Sequence, residues 1–225
     1  MTNFRMALAL GATTLWAGAG AATAQQIGVV GLYQNGASLD TAAATDLGCV
    51  VQRSGVIVAM QGKLSPTLSQ PDQFAVLACD QSVMASSDRR AAFAALSDGG
   101  EPIAFFEGAL TNFETPASPQ AVSERQYILK LGYYNNVDVE ARNANLMALD
   151  AKAAQREGAW TTESFLQVHS AAGIATPDEV VILYYDSVEI AGNFRDANTD
   201  ILEDVTAFNN AHLTDFAYLI GFLSK

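Results

Sequence analysis

Hydrophobic positions along the second half of the chain change period in a regular order. Tyr127 to Asn135 is rich in β-formers and closes on an asparagine pair, whereas Asp138 to Arg156 is helical in composition and stops before Gly158, a residue suited to a C-cap. Glu163 to Ser170 alternates as a strand. A turn through Gly173 and Pro177 then leads into Val180 to Tyr185, an unbroken apolar run of the buried-strand type. Asn193 to His212 predicts a helix with acids on its wet face, and Phe216 to Leu223 a last strand. The order is β-α-β-β-α-β.

The first half predicts the same order. Strands are expected over Ile27 to Tyr33, Val56 to Gln61, Phe74 to Cys79 and Ile103 to Leu110, with helices over Leu39 to Arg53 and Asp88 to Leu96. Short matches link the halves. Gly31 to Asn35 resembles Gly132 to Asn136, Gln52 to Gly55 resembles Gln155 to Gly158, Pro71-Asp72 resembles Pro177-Asp178, and Ile103 to Leu110 resembles Phe216 to Leu223. Their offsets of 101, 103, 106 and 113 only grow, as small loop insertions in a duplicated unit would make them. Pro116 and Pro119 fall in the stretch between, where neither a ladder nor a helix continues easily. The expected organisation is a repeat over 25–113, a linker over 114–123 and a second repeat over 124–225.

Composition narrows the class of partner. Half of the 225 residues are hydrophobic and 16% are charged, enough apolar surface for a packed core. The formal charge of −12 repels phosphate backbones and anionic lipid heads, and no cationic cluster exceeds Arg89-Arg90, so nucleic acid is not an expected partner.

Export is expected from the first 24 residues, which carry Arg5, an apolar run from Met6 to Trp16 and an Ala22-Thr23-Ala24 ending. That pattern predicts a cleaved signal peptide, a mature chain from Gln25 and a periplasmic or secreted product. No later segment is long and apolar enough for a transmembrane helix. In an oxidising compartment Cys49 and Cys79 are expected to form a disulfide, two buried thiols that never meet being the alternative.

The β-α-β-β-α-β order is the split βαβ, or ferredoxin-like, arrangement, whose sheet is covered by helices on one face and needs a cover on the other. The predicted fold is therefore α+β, with two tandem ferredoxin-like repeats packed sheet to sheet as an intramolecular barrel. In element order and size the chain resembles the dimeric α+β barrel superfamily, which includes cofactor-independent monooxygenases of antibiotic biosynthesis. The resemblance implies a space between the sheets for a ligand. A chain whose halves cover each other is expected to be a monomer, and a homodimer follows if they face apart.

Candidate site residues come from strand alternation. With Leu166 and Val168 assigned to the helix side, Phe165, Gln167 and His169 point between the sheets. Ile128, Lys130, Gly132 and Tyr134 share one face of their strand, opposite Tyr127, Leu129, Leu131 and Tyr133, and are assigned to the same space. His169 suits proton transfer or ligation, or is a structural edge histidine. Lys130 either holds an anionic group or snorkels. Tyr33, Tyr134 and Tyr218 line an aromatic pocket, or fill the core as β-formers do.

Other chemistries lack a needed residue. The loop from Gly31 to Ser38 has Ala37 where a phosphate loop needs lysine, and the run from Asp196 has Ile201 and Ala207 where a calcium loop needs Gly and Glu. No cofactor is expected. Haem-binding relatives of the barrel use an axial histidine, for which His169 is the candidate, although no motif surrounds it. The functions that remain are binding of a small, partly apolar ligand, a cofactor-independent monooxygenase or isomerase using His169 and Lys130, and a structural role in an envelope complex with a solid interior.

Overall fold

The computed structural model describes residues 26–64, 68–80, 82–83, 95–100, 102–115, 117–118, 120–135 and 137–224. The expected leader and nearly all of the expected Asp88 to Leu96 helix lie outside these. In chain order the elements are β1 (Gln26–Tyr33), β2 (Ser38–Leu39), α1 (Thr41–Asp46), β3 (Cys49–Lys63), β4 (Gln73–Cys79), β5 (Ser97–Asp98) and β6 (Ala104–Asn112). A single 3-10 turn precedes β7 (Gln126–Tyr134), α2 (Val139–Ala153), β8 (Thr161–Ala172), β9 (Glu179–Tyr185), α3 (Val188–Ala197), α4 (Thr199–His212) and β10 (Leu213–Leu223).

The eight long strands close into one barrel in the order β1-β4-β3-β10-β7-β9-β8-β6, every pair antiparallel. The four strands of the first half lie in the order β6-β1-β4-β3 and those of the second in the order β10-β7-β9-β8. The halves do not stack as two layers. They join edge to edge through full ladders at two seams, β3 with β10 and β6 with β8. Closure satisfies the edges that two separate sheets would leave open.

Both seams are tight. A Cβ on Gly108 would fall 1.7 Å from the Gln167 carbonyl oxygen, and one on Gly221 would fall 2.3 Å from that of Val56. Register shifts sit at the same two places, between Glu107 and Gly108 and between Ile220 and Gly221. Only a residue without a side chain lets the backbones approach this closely.

The barrel interior is packed by one apolar cluster drawn from both halves, including Val30, Leu32, Phe74, Val76, Phe106, Leu129, Leu131, Leu166, Ile182 and Leu219. One mouth carries a polar plug. Glu163 accepts from Arg53 Nε at 3.1 Å and Nη2 at 2.9 Å, and the Arg125 guanidinium lies over the Tyr184 ring at 3.9 Å. The inter-sheet space is thus filled, and the expected pocket between the sheets is corrected: Leu166 and Val168 face inward, not toward helices.

Two expected helices differ. Only Thr41–Asp46 of the Leu39 to Arg53 stretch is helical, with Asp40 Oδ1 accepting from Ala42 N and Ala43 N. Gly48 at φ 73° then turns the chain into β3, where Cys49 sits opposite Cys79 and bonds to it with Cα atoms 4.0 Å apart. The Asn193 to His212 stretch is two helices. The first begins earlier, capped by Ser187 Oγ on Ile190 N at 3.1 Å, and Asn198 at φ −130° separates it from the second while donating from Nδ2 to Phe194 O. By contrast α2 follows its pattern at its start, with Asp138 Oδ1 accepting from Ala141 N, but it ends at Ala153 with Ala154 as its C-cap, so Gly158 at φ 70° turns the chain beyond the helix and does not cap it. Among the described residues no helix is long and apolar enough to cross a membrane.

Candidate functional site

A cavity of about 710 Å³ lies on the outside of the barrel in the second half, between the outward faces of β7, β9 and β10 and the helices α2 and α4. Strand alternation sends Tyr127, Leu129 and Leu131 into the barrel and Ile128 and Lys130 outward into this cavity. Ile128 is level with Leu183 on β9 and Ile220 on β10, so the middle of the floor is aliphatic. Leu146 and Leu149 of α2 and Leu202 and Val205 of α4 complete the walls.

Polar groups collect at the ends. At one end Lys130 Nζ donates to Glu179 Oε1 at 2.8 Å, both side chains buried, and the Phe208 ring centroid is 5.5 Å from the ammonium. Burial opposes the charge on Lys130, but the attraction of Glu179, the field of Tyr218 and the Glu179 hydrogen bond outweigh it and hold Nζ protonated above the usual lysine range. Tyr218 stands opposite Lys130 in the β10–β7 ladder. Its hydroxyl and the Asn209 amide bond reciprocally, Nδ2 donating at 2.9 Å and accepting oxygen Oδ1 lying at 3.2 Å. At the other end Trp160 packs edge-on against Tyr185 and Phe194, and Arg195 Nη1 donates to Gln126 Oε1 at 3.4 Å.

Of the residues singled out from the sequence, Lys130 and Tyr218 line this cavity. Tyr134 is buried beside it, capped by the Arg142 guanidinium 4.0 Å above its ring, with its phenol driven upward by burial and then by Glu179. The others are dispersed. Tyr33 packs edge-on against Phe105 on the outer side of the first half. Phe165 is buried next to Val181 across the β8–β9 ladder but outside the lining, and Gln167 is exposed. His169 is exposed where the β6–β8 register skips from Val168 to Ser170, so it does not meet Lys130. His212 is buried in the last turn of α4, its Nε2 2.9 Å from Asn145 Nδ2.

Glu179, Asn209, Trp160 and Arg195 were not singled out from the sequence. Glu179 carried a signal, a charge at the head of an apolar strand run. The lining holds no histidine, cysteine or methionine, and no group of three His, Cys, Asp or Glu residues that could hold a metal occurs among the described residues. These residues do not fit a haem held by an axial histidine.

The sequence matches no protein-family model and no curated protein. Similar solved structures do exist. Two variants of chlorite dismutase from Candidatus Nitrospira defluvii, one of them in complex with cyanide, are 13% and 12% identical to the chain. The match to the first covers 89% of this chain and 92% of the other at a TM-score of 0.51. The cyanide complex gives 89%, 91% and 0.50. An anthrone oxidase-like protein is 9% identical over 89% of this chain and 92% of its own, with a TM-score of 0.49. At the level of fold, this chain resembles the dimeric α+β barrel superfamily.

Proposed function

We propose that this is an exported small-molecule-binding protein of the α+β barrel type, with its ligand held between strands β7, β9 and β10 and helices α2 and α4. The observation that carries the reading is the cavity of about 710 Å³, apolar along its middle and polar at its ends. Pockets for organic ligands run to roughly 300–1,000 Å³ and are built in this way. Export is supported by the leader pattern and by the Cys49–Cys79 disulfide. The proposed duplication, with units over 25–113 and 124–225 and a linker over 114–123, is supported by the matching strand orders β6-β1-β4-β3 and β10-β7-β9-β8. The solid barrel interior fits a structural role equally well; the separate cavity favours binding.

The test uses Trp160. The chain has two tryptophans, Trp16 in the expected leader and Trp160 in the cavity wall, so the mature protein carries a single indole reporter. Titration with 1-anilinonaphthalene-8-sulfonate is expected to give one saturable site with energy transfer from Trp160. Leu183→Phe, which intrudes on the cavity floor, is expected to weaken it. Absence of saturable binding would count against the reading.

A second reading, a cofactor-independent monooxygenase or an isomerase, is favoured by the Tyr218–Asn209 and Lys130–Glu179 pairs in the cavity wall. Such pairs can hold a substrate oxygen and stabilise charge on it. Turnover of an activated aromatic that Tyr218→Phe abolishes would support it, and turnover indifferent to that change would remove it.

A further inference from the structure

We infer that the cavity takes an elongated organic anion with an apolar body, its carboxylate at Arg195 and a hydrogen-bonding oxygen at the Lys130–Tyr218 end; this rests on the binding reading above. The β7 register sets the length. Gln126, beside Arg195, and Lys130 are four residues apart on one strand face, a span of about 13 Å at the usual strand rise. Between them the level formed by Ile128, Leu183 and Ile220 is aliphatic, with Thr162 beside Leu183 on β8 its one polar side chain.

The two ends differ in charge. Lys130 is neutralised by Glu179 at 2.8 Å, so this end presents donors and acceptors with little net charge, among them the Tyr218 hydroxyl. Arg195 is half-buried and forms no ion pair among the described residues; its hydrogen bond is the long one to the neutral Gln126 amide. In an acidic chain that is notable, because Arg53, Lys152 and Arg156 each pair with a carboxylate. Two other charges face the cavity. Asp150 on α2 is already engaged, and Lys63 is exposed opposite Phe216 at the far end. Arg195 is therefore the cation placed to meet a carboxylate, and its planar fork suits one. Trp160 and Tyr185 flank that end with apolar faces.

The experiment displaces bound 1-anilinonaphthalene-8-sulfonate from the full chain with decanoate, methyl decanoate and ω-hydroxydecanoate, read by loss of emission sensitised through Trp160. A charge-assisted hydrogen bond gives decanoate an expected advantage of about tenfold or more over its ester. ω-Hydroxydecanoate is expected to match or exceed decanoate, and Tyr218→Phe to remove any gain from its hydroxyl. Arg195→Gln is expected to erase the acid-to-ester ratio with an unchanged thermal midpoint, while Lys63→Gln preserves it.

Equal potency of acid and ester overturns the inference, as does loss of the ratio in Lys63→Gln instead of Arg195→Gln. Failure of all three compounds to displace the dye also overturns it and leaves the binding reading standing. Failure of the dye itself to bind removes both.

Discussion

Glu179 reaches Lys130 along the diagonal of the β7–β9 ladder. Its direct partner is Gly132, and its Oε1 lies 2.8 Å from Lys130 Nζ two residues away. Gly132 makes this possible, since a Cβ there would be 2.9 Å from that same oxygen. The side chains of Lys130 and Glu179 are only 10% and 3% exposed, so two full charges are withdrawn from water and depend on each other.

Removing one member leaves the other buried and uncompensated. Lys130→Met is expected to destabilise the fold by about 3–5 kcal/mol. Combined with Glu179→Leu, which removes the stranded carboxylate, the loss is expected to shrink well below the sum of the single changes. Urea unfolding of the two single variants and the double variant checks this, and simple additivity would show that the groups are not coupled.

How much of this was legible in the sequence depends on what each pattern reports. The long strands were, because runs such as Val180 to Tyr185 and Tyr127 to Asn135 have few alternatives. Which face of each strand points inward was not. In a barrel wrapped by helices both faces are buried, so alternation separates two classes of residue without saying which class is central. Lys130 and Tyr218 mark the less uniformly apolar face, and here that face looks outward to α2 and α4. The pairing of Lys130 with Glu179 depends on a register between residues 49 apart, which no local pattern carries. Leu39 to Arg53 read as one helix; Gly48 and the Cys49–Cys79 link end it after Thr41–Asp46.

The disulfide closes a loop of separation 30 between adjacent strands of the first half. In the chain-entropy model its contribution is about 3–4 kcal/mol. Reduction, or replacement of both cysteines by alanine, is expected to lower the denaturant midpoint accordingly. Unchanged stability would mean that the unlinked chain keeps these ends together when unfolded.

High pH acts on buried phenols. Tyr133 is pushed up to about 12 by burial and then by Asp215, and Tyr185 to about 12 by burial with Arg195 opposing. Tyr33 and Tyr134 are driven further in the same direction, chiefly by burial. A group whose folded pKa exceeds its unfolded value contributes stability in full below the unfolded value and loses it as pH rises through the folded one. Lys130 is raised as well and has the same sign. Stability is therefore expected to fall once pH passes about 10, with phenolate absorbance appearing together with unfolding. Ordinary tyrosine titration in a chain that stays folded would contradict this placement of the rings.

The seams supply the last prediction, because glycine is required there for a reason that can be separated from helix or strand propensity. At Gly108 a methyl group would lie 1.7 Å from the Gln167 carbonyl oxygen, and relief requires β6 and β8 to part at the bulge where their register shifts. Among the described residues that ladder is one of two joining the halves, so the strain cannot be passed to a loop. Gly108→Ala is expected to destabilise by about 4 kcal/mol or more, in the range reserved for specific structural lesions. Gly192 is the control. It lies within α3 with nothing within 4 Å of where a Cβ would stand, and Gly192→Ala is expected to stabilise by about 0.5–1 kcal/mol through helix propensity. Thermal unfolding of the two variants side by side distinguishes the cases. If Gly108→Ala were as benign as Gly192→Ala, the β6–β8 seam would not be the close ladder described above, and closure of the barrel would need another basis.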